Sequence, residues 1–216
     1  MVASWHAVMD SPLDSSFPGF DRLYELADPG FVRAFVAAID VPADSALPLL
    51  RGDLHRVTPI EGRWAMGRAK PLDVVWTTLA LPVLLSQRVV DLLRMEQVTG
   101  WDCIPCTLYG KSNQSWPYAI LSVRGRCGPI DVQKSTRIDK AYPAGVFPAW
   151  RGLYFDPLSW DGSDLFMPEG DVGWIIVTQR VKDLMEMAKI SNVMFTPLDR
   201  VERVQLSRSR NADVST

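Results

Sequence analysis

The sequence predicts an α+β fold: a mixed, largely antiparallel sheet covered by two related helices, with a small helical N-terminal region. Three observations lead there. Strand-like apolar runs crowd the chain after residue 60. A ten-residue segment occurs twice, each copy lying between two such runs. Before residue 40 the apolar residues recur at helical spacing and do not alternate. The chain has 216 residues, enough to bury a core without disulfides or metal.

Residues 1–19 are rich in Ser, Pro and Asp and read as an extended arm. A helix is expected over Asp21–Leu26 and another over Gly30–Ile39. In the second, Phe31, Phe35, Val36 and Ile39 fall on one face. Val41-Pro42 stops it, and Pro42, Pro48 and Pro59 make residues 42–60 an irregular connection. Strands are then expected at Arg63–Met66, Asp73–Leu79, Trp101–Leu108, Tyr118–Val123, Ile130–Val132, Leu153–Phe155, Gly173–Val177 and Val193–Phe195. Residues 110–117 and 140–152 carry Gly and Pro and read as loops. Gln205–Thr216 is polar and expected to fray. The expected units are an N-terminal region 1–60, a main domain 61–204 and a tail 205–216.

The two helices come from an internal repeat. Ser86-Gln87-Arg88-Val89-Val90-Asp91-Leu92-Leu93-Arg94-Met95 matches Thr178-Gln179-Arg180-Val181-Lys182-Asp183-Leu184-Met185-Glu186-Met187 at six of ten positions, 92 residues apart. Ser86 and Thr178 stand where a hydroxyl can cap a helix. Val89, Leu92 and Leu93, like Val181, Leu184 and Met185, share one helical face. Each copy reads as strand, helix, strand. Two occurrences are too few for a solenoid.

Composition narrows the function. The net charge is −2, which gives no electrostatic case for nucleic acid as a partner. There are 8 Trp but only 2 His, a balance that favours packing and contact over acid–base chemistry. Residues 1–10 contain no Lys or Arg, unlike a signal peptide. The most apolar run, Leu79–Leu85, is far short of the roughly 20 residues that span a bilayer. A soluble cytoplasmic protein without membrane attachment is expected.

No motif for chemistry survives inspection. Cys103-Ile104-Pro105-Cys106 is a C-x-x-C, but it sits in a strand, where residues three apart face opposite sides. Zinc would need Cys103, Cys106 and Cys127 joined by His6 or His55, which lie far apart in the chain. Gly110-Lys111-Ser112 ends like a phosphate loop, yet Pro105 stands where its first Gly is needed. Asp161 and Asp164, in Trp160-Asp161-Gly162-Ser163-Asp164, read as a turn. No catalytic residue, cofactor or metal is therefore expected. Trp116, Trp150 and Trp160, with Asp161, lie in loop-like segments and are the candidate partner-binding residues.

Three pieces occur in order: Leu84-Leu85-Ser86-Gln87-Arg88-Val89-Val90-Asp91-Leu92-Leu93; then Tyr154-Phe155-Asp156-Pro157 with Gly162-Ser163-Asp164-Leu165-Phe166; then Ile175-Ile176-Val177-Thr178-Gln179-Arg180 through to Val193-Met194-Phe195-Thr196-Pro197-Leu198. Over residues 73–200 this resembles an immunity-protein family of bacterial polymorphic toxin systems, of the myxobacterial type. The pattern departs from that family at Leu165, where Ile is usual, and at Ser191-Asn192, where a Gly turn is usual. The resemblance implies a non-enzymatic protein that binds and neutralises a cognate toxin. The alternatives are a regulatory or scaffold interaction module and, third, a thiol-dependent enzyme using Cys103 and Cys106.

Overall fold

The computed structural model describes residues 17–31, 33–39, 48–49, 51, 60–78, 82–112, 114–143, 145–170 and 173–204. The elements are β1 (Leu23–Ala27), β2 (Val36–Ile39), β3 (Ile60–Met66), β4 (Val74–Thr77), β5 (Leu84–Ser86), α1 (Gln87–Met95), β6 (Trp101–Tyr109), β7 (Ser115–Val123) and β8 (Gly125–Cys127). They continue with β9 (Thr136–Tyr142), β10 (Gly145–Arg151), β11 (Leu165–Pro168), β12 (Ile176–Thr178), α2 (Gln179–Met187), β13 (Met194–Pro197) and β14 (Glu202–Val204). A closed barrel runs β2-β3-β6-β7-β5-β4, with β4 returning to pair with β2. A five-stranded sheet runs β13-β1-β12-β11-β8, and a three-stranded sheet runs β14-β10-β9.

This corrects the expected α+β architecture. Strand accounts for 44% of the described residues, and the sheets are three, one of them a closed barrel. The helical N-terminal region is also overturned. The segment Asp21–Leu26 ends a single 3-10 turn (Phe20–Arg22) and enters β1 at Leu23, and the segment Gly30–Ile39 contains β2. Phe35, Ala37 and Ile39 alternate into the barrel, a period of two that the accidental spacing of Phe31, Phe35, Val36 and Ile39 disguises. Phe31 is exposed. Ile130–Val132 and Leu153–Phe155 are not strands, whereas residues 140–152 are mostly strand. The expected tail 205–216 and residues 1–16 of the arm lie outside the described residues.

Side-chain alternation along the barrel strands separates two of three apolar clusters. Ile104, Cys106 and Leu108 of β6 point into the barrel with Phe35, Ile60, Val75, Leu84 and Ile120. Trp101 and Cys103 of the same strand point outward. Gly62 of β3 leaves the barrel neck narrow, since a Cβ there would stand 3.0 Å from Leu108 Cδ1. The outward residues Val74, Leu85, Ala119 and Leu121 meet Val89, Leu93, Val181 and Met185 of the helices, together with Tyr24, Leu26, Leu165 and Val177 of the five-stranded sheet. The far face of that sheet carries Leu23, Phe166 and Ile176 against Leu153, Phe155 and Leu198.

The repeat is realised as two units that clamp each other. α1 begins after Ser86 and α2 after Thr178, but neither hydroxyl caps its helix. Thr178 Oγ1 donates instead to Asp164 Oδ1 at 3.1 Å. In one unit Arg88 pairs with Asp73 at 3.2 Å and reaches across to donate to the Ala188 carbonyl at the end of α2. In the other, Arg180 pairs with Asp164 at 2.9 Å and donates to the Glu96 carbonyl at the end of α1. Each Asp also binds the loop after the opposite helix. Asp73 accepts from Ser191 N at 2.9 Å and Ser191 Oγ at 2.8 Å. Asp164 accepts from Thr99 N at 3.0 Å and Thr99 Oγ1 at 3.2 Å. The loops match in backbone conformation as well. Gln97 and Lys189 both take φ 52°, and each closes its helix with a bond from the following N–H, Val98 to Leu93 O and Ile190 to Met185 O.

Asp164 has a side chain only 14% exposed and serves a guanidinium, a hydroxyl pair and a backbone N–H. Asp164→Ala would orphan these groups and is expected to cost about 3 kcal/mol. At this chain length that lowers Tm by about 6–12 °C. A urea-melt loss below about 1 kcal/mol contradicts the clamp. A second expectation concerns Glu25, which sits in β1 between Ile176 and Thr196 with no ion pair among the described residues. Burial pushes its carboxyl above the ordinary value of 4.5. The folded state then favours the protonated form, so this contribution is present below pH 4.5 and lost as pH rises through the raised value. Glu25→Gln therefore raises Tm at pH 7 and leaves it nearly unchanged near pH 4; an equal shift at both values contradicts the assignment.

Candidate interaction surface

The sequence candidates are dispersed. Trp116 of β7 turns into the barrel mouth, its ring 6.3 Å from that of Phe35 and edge-on to it. Trp160 packs on the outer cluster, 5.5 Å from the Phe166 ring and 6.0 Å from Phe17, and its Nε1 donates to the Ser163 carbonyl at 3.2 Å. Asp161 is exposed but its carboxylate accepts from Arg126 N at 2.7 Å and Ser163 N at 2.9 Å. It shapes the turn that presents Asp164 to Thr99. Trp150 is half-buried in β10, opposite Arg137 on one side and Arg203 on the other.

Trp150 leads to a surface that the sequence reading passed over. The hairpin β9–β10 stands away from the body. Residues 141–143 and 145–148 are all exposed, on both faces of the ribbon. A ribbon that buries neither face shows no alternation, which is why Gly145, Pro143 and Pro148 read as loop. Near its tip Tyr142 (40% exposed) and Phe147 (41%) stack edge to face with centroids 6.0 Å apart. Val146, 67% exposed, points to the opposite face, the one that carries Trp150.

The base of the hairpin is fixed by charge and backbone. Glu202 of β14 accepts from Arg151 Nη2 at 2.8 Å and meets Lys140 Nζ at 3.1 Å. The hydrogen bond from Arg151, then that from Lys140, holds its carboxyl below 4.5. Ser135 Oγ donates to the Gly152 carbonyl at 2.8 Å, and Gly152 N donates to Val201 O at 2.8 Å. A two-stranded ribbon alone is marginal in water. Here the third strand and these bonds hold it out, with Lys140 Nζ 5.8 Å over the Tyr142 ring at its exposed aromatic tip.

No protein-family model matches the chain, and no curated protein matches it.

The thiols are placed for packing. Cys103 lies against the helix-side cluster and Cys106 inside the barrel, on opposite faces of β6 as the strand period requires. Cys127 is in the outer cluster. Burial pushes Cys106 up to about 11 and Cys127 up to about 12, and it raises Cys103 as well. Thiolates are therefore scarce at neutral pH. Among the described residues no group of three or more His, Cys, Asp or Glu gathers at metal-binding distance; His6 and His55 lie outside them. Among the described residues no helix is long and apolar enough to cross a membrane.

In the folded protein a disulfide-exchange reagent at pH 8 is expected to modify Cys103 alone on the fast timescale, and all three thiols only in denaturant. Rapid modification of Cys106 together with Cys103 would contradict this arrangement.

Proposed function

We propose that this protein binds and neutralises a partner toxin domain of a bacterial polymorphic toxin system, using the β9–β10 hairpin as its principal contact. The carrying observation is the apolar tip of that hairpin. Tyr142 and Phe147 form an exposed aromatic pair on one face of a ribbon held by ion pairs at its base, and Val146 is exposed on the other face. Scattered exposed apolar residues are ordinary, but a contiguous group on a projecting element marks a contact surface. Aromatic side chains there offer large contact area at small entropic cost, as interface anchors do. The resemblance over residues 73–200 supplies the class of partner. The placement of the three thiols speaks against the thiol-enzyme alternative.

On this reading the product of a neighbouring gene is the partner, and the complex buries roughly 1,200–2,000 Å². The experiment is co-expression of the two proteins with the tag on this chain, read by co-elution and by survival of cells making the toxin. Tyr142→Ser with Phe147→Asp is expected to weaken the complex by about a hundredfold while Tm stays within the error of measurement. Cys103→Ser with Cys106→Ser is expected to leave binding and protection intact. Absence of co-elution and of protection in the wild type would end the proposal.

A further inference from the structure

A second surface lies on the barrel rim, on a different sheet from the hairpin. Glu61, Arg63, Trp64, Tyr109, Gly110 and Lys111 line an open groove of about 550 Å³. That is within the size range of ligand-binding clefts, about 300–1,000 Å³. β3 and β6 run parallel here, and Arg63 pairs with Tyr109. Alternation puts Glu61 and Arg63 on the outer face of β3, while Trp64 faces the barrel side and reaches the rim. Trp64 Nε1 donates to the Arg68 carbonyl at 3.2 Å, and Lys111 Nζ stands 5.2 Å over its ring. Arg68 N donates in turn to the Arg33 carbonyl at 3.0 Å. Gly110 lets the chain pass this close, since a Cβ there would strike the Trp116 ring at 2.7 Å.

Arg63 and Lys111 line the groove, with Glu61 the one acid among its described lining residues, and the exposed Arg68 and Arg33 adjoin it through these backbone contacts. The concentration stands out in a chain whose net charge is −2. The Arg63–Glu61 pair is exposed at both ends, so an incoming carboxylate can replace it at little cost. Met66 and Phe31, 56% and 62% exposed, belong to the same two segments. Cations interleaved with apolar side chains match a chain whose carboxylates are interleaved with apolar residues. A phosphate backbone, which carries a charge at every nucleotide, fits less well than a chain whose charges are spaced by apolar residues.

We propose that this groove is a second binding site, taking an acidic, apolar-interrupted segment of a protein partner. The site stands whether or not the hairpin's partner is a toxin. The probe is a fluorescein-labelled peptide of alternating glutamate and leucine, titrated with the full chain and read by anisotropy. Saturable binding is expected at about 50 mM NaCl, weakening as salt screens the charges. Lys111→Glu, in a surface turn where folding is not at stake, and Arg63→Glu with Lys111→Glu are each expected to lose about tenfold or more. Glu61→Gln should tighten binding, and Tyr142→Ser with Phe147→Asp should leave it unchanged. No saturable binding, an unaltered affinity in Lys111→Glu, or tighter binding of a labelled oligothymidylate than of the peptide would each overturn the proposal.

Discussion

The exchange of arginines between the two repeat units is the constraint on which the rest depends. Arg88 and Arg180 each hold an aspartate at the start of their own unit and the last carbonyls of the other unit's helix. The helices therefore lie antiparallel, with the N-terminal turn of each against the C-terminal end of the other. A cation at a helix C-terminus interacts favourably with the partial negative charge there. Here the favour is reciprocal, so neither helix end can move without releasing a bond in both units. Asp73 and Asp164 complete the lock by fixing the loops that follow the opposite helices.

That lock sets the layers. One unit brings β5 and β6 into the barrel, and the other brings β12 and β13 into the five-stranded sheet. The apolar cluster between the barrel and the sheet is not directional. The polar contacts give that interface one register. Trp76 Nε1 donates to the Asn192 carbonyl at 2.9 Å, and Asn192 Nδ2 donates back to Val74 O at 2.8 Å. Asn192 takes φ 67°, and its counterpart Gly100 takes φ 80°. A Cβ on Gly100 would lie 2.1 Å from the Leu165 carbonyl, so the tighter of the two loops admits only glycine.

The sequence disclosed the two helices and their flanking strands because six identities in ten survive at one offset. It did not disclose the clamp. The two arginines are 92 residues apart, but Asp73 and Asp164 are 91 apart, so the acids do not fall on the same alignment. Their partners also lie in the opposite unit, which no local pattern records. The barrel was hidden for a similar reason. Its closure rests on β2 pairing with both β3 and β4, and β2 is four residues long with helical-looking spacing. The candidate Trp residues illustrate the limit in another way. Trp116 and Trp160 sit beside Pro and Asp in the chain, yet their rings close on Phe35 and Phe166. Local composition describes the backbone's path and says little about which side of it a large ring falls.

The repeated segments and the turn before β11 are those that carry the clamp. Ser86-Gln87-Arg88, Thr178-Gln179-Arg180 and Gly162-Ser163-Asp164-Leu165-Phe166 supply both arginines and one of the aspartates. Their charged groups are engaged in holding the units together. The hairpin and the barrel rim stand outside the repeat, and their exposed side chains bear little of the folding free energy. Tyr142, Phe147 and Lys111 can therefore be exchanged at small cost in stability, whereas Arg88 or Asp164 cannot. A scaffold locked at its centre in this way leaves the side chains at its two edges free to change without loss of the fold.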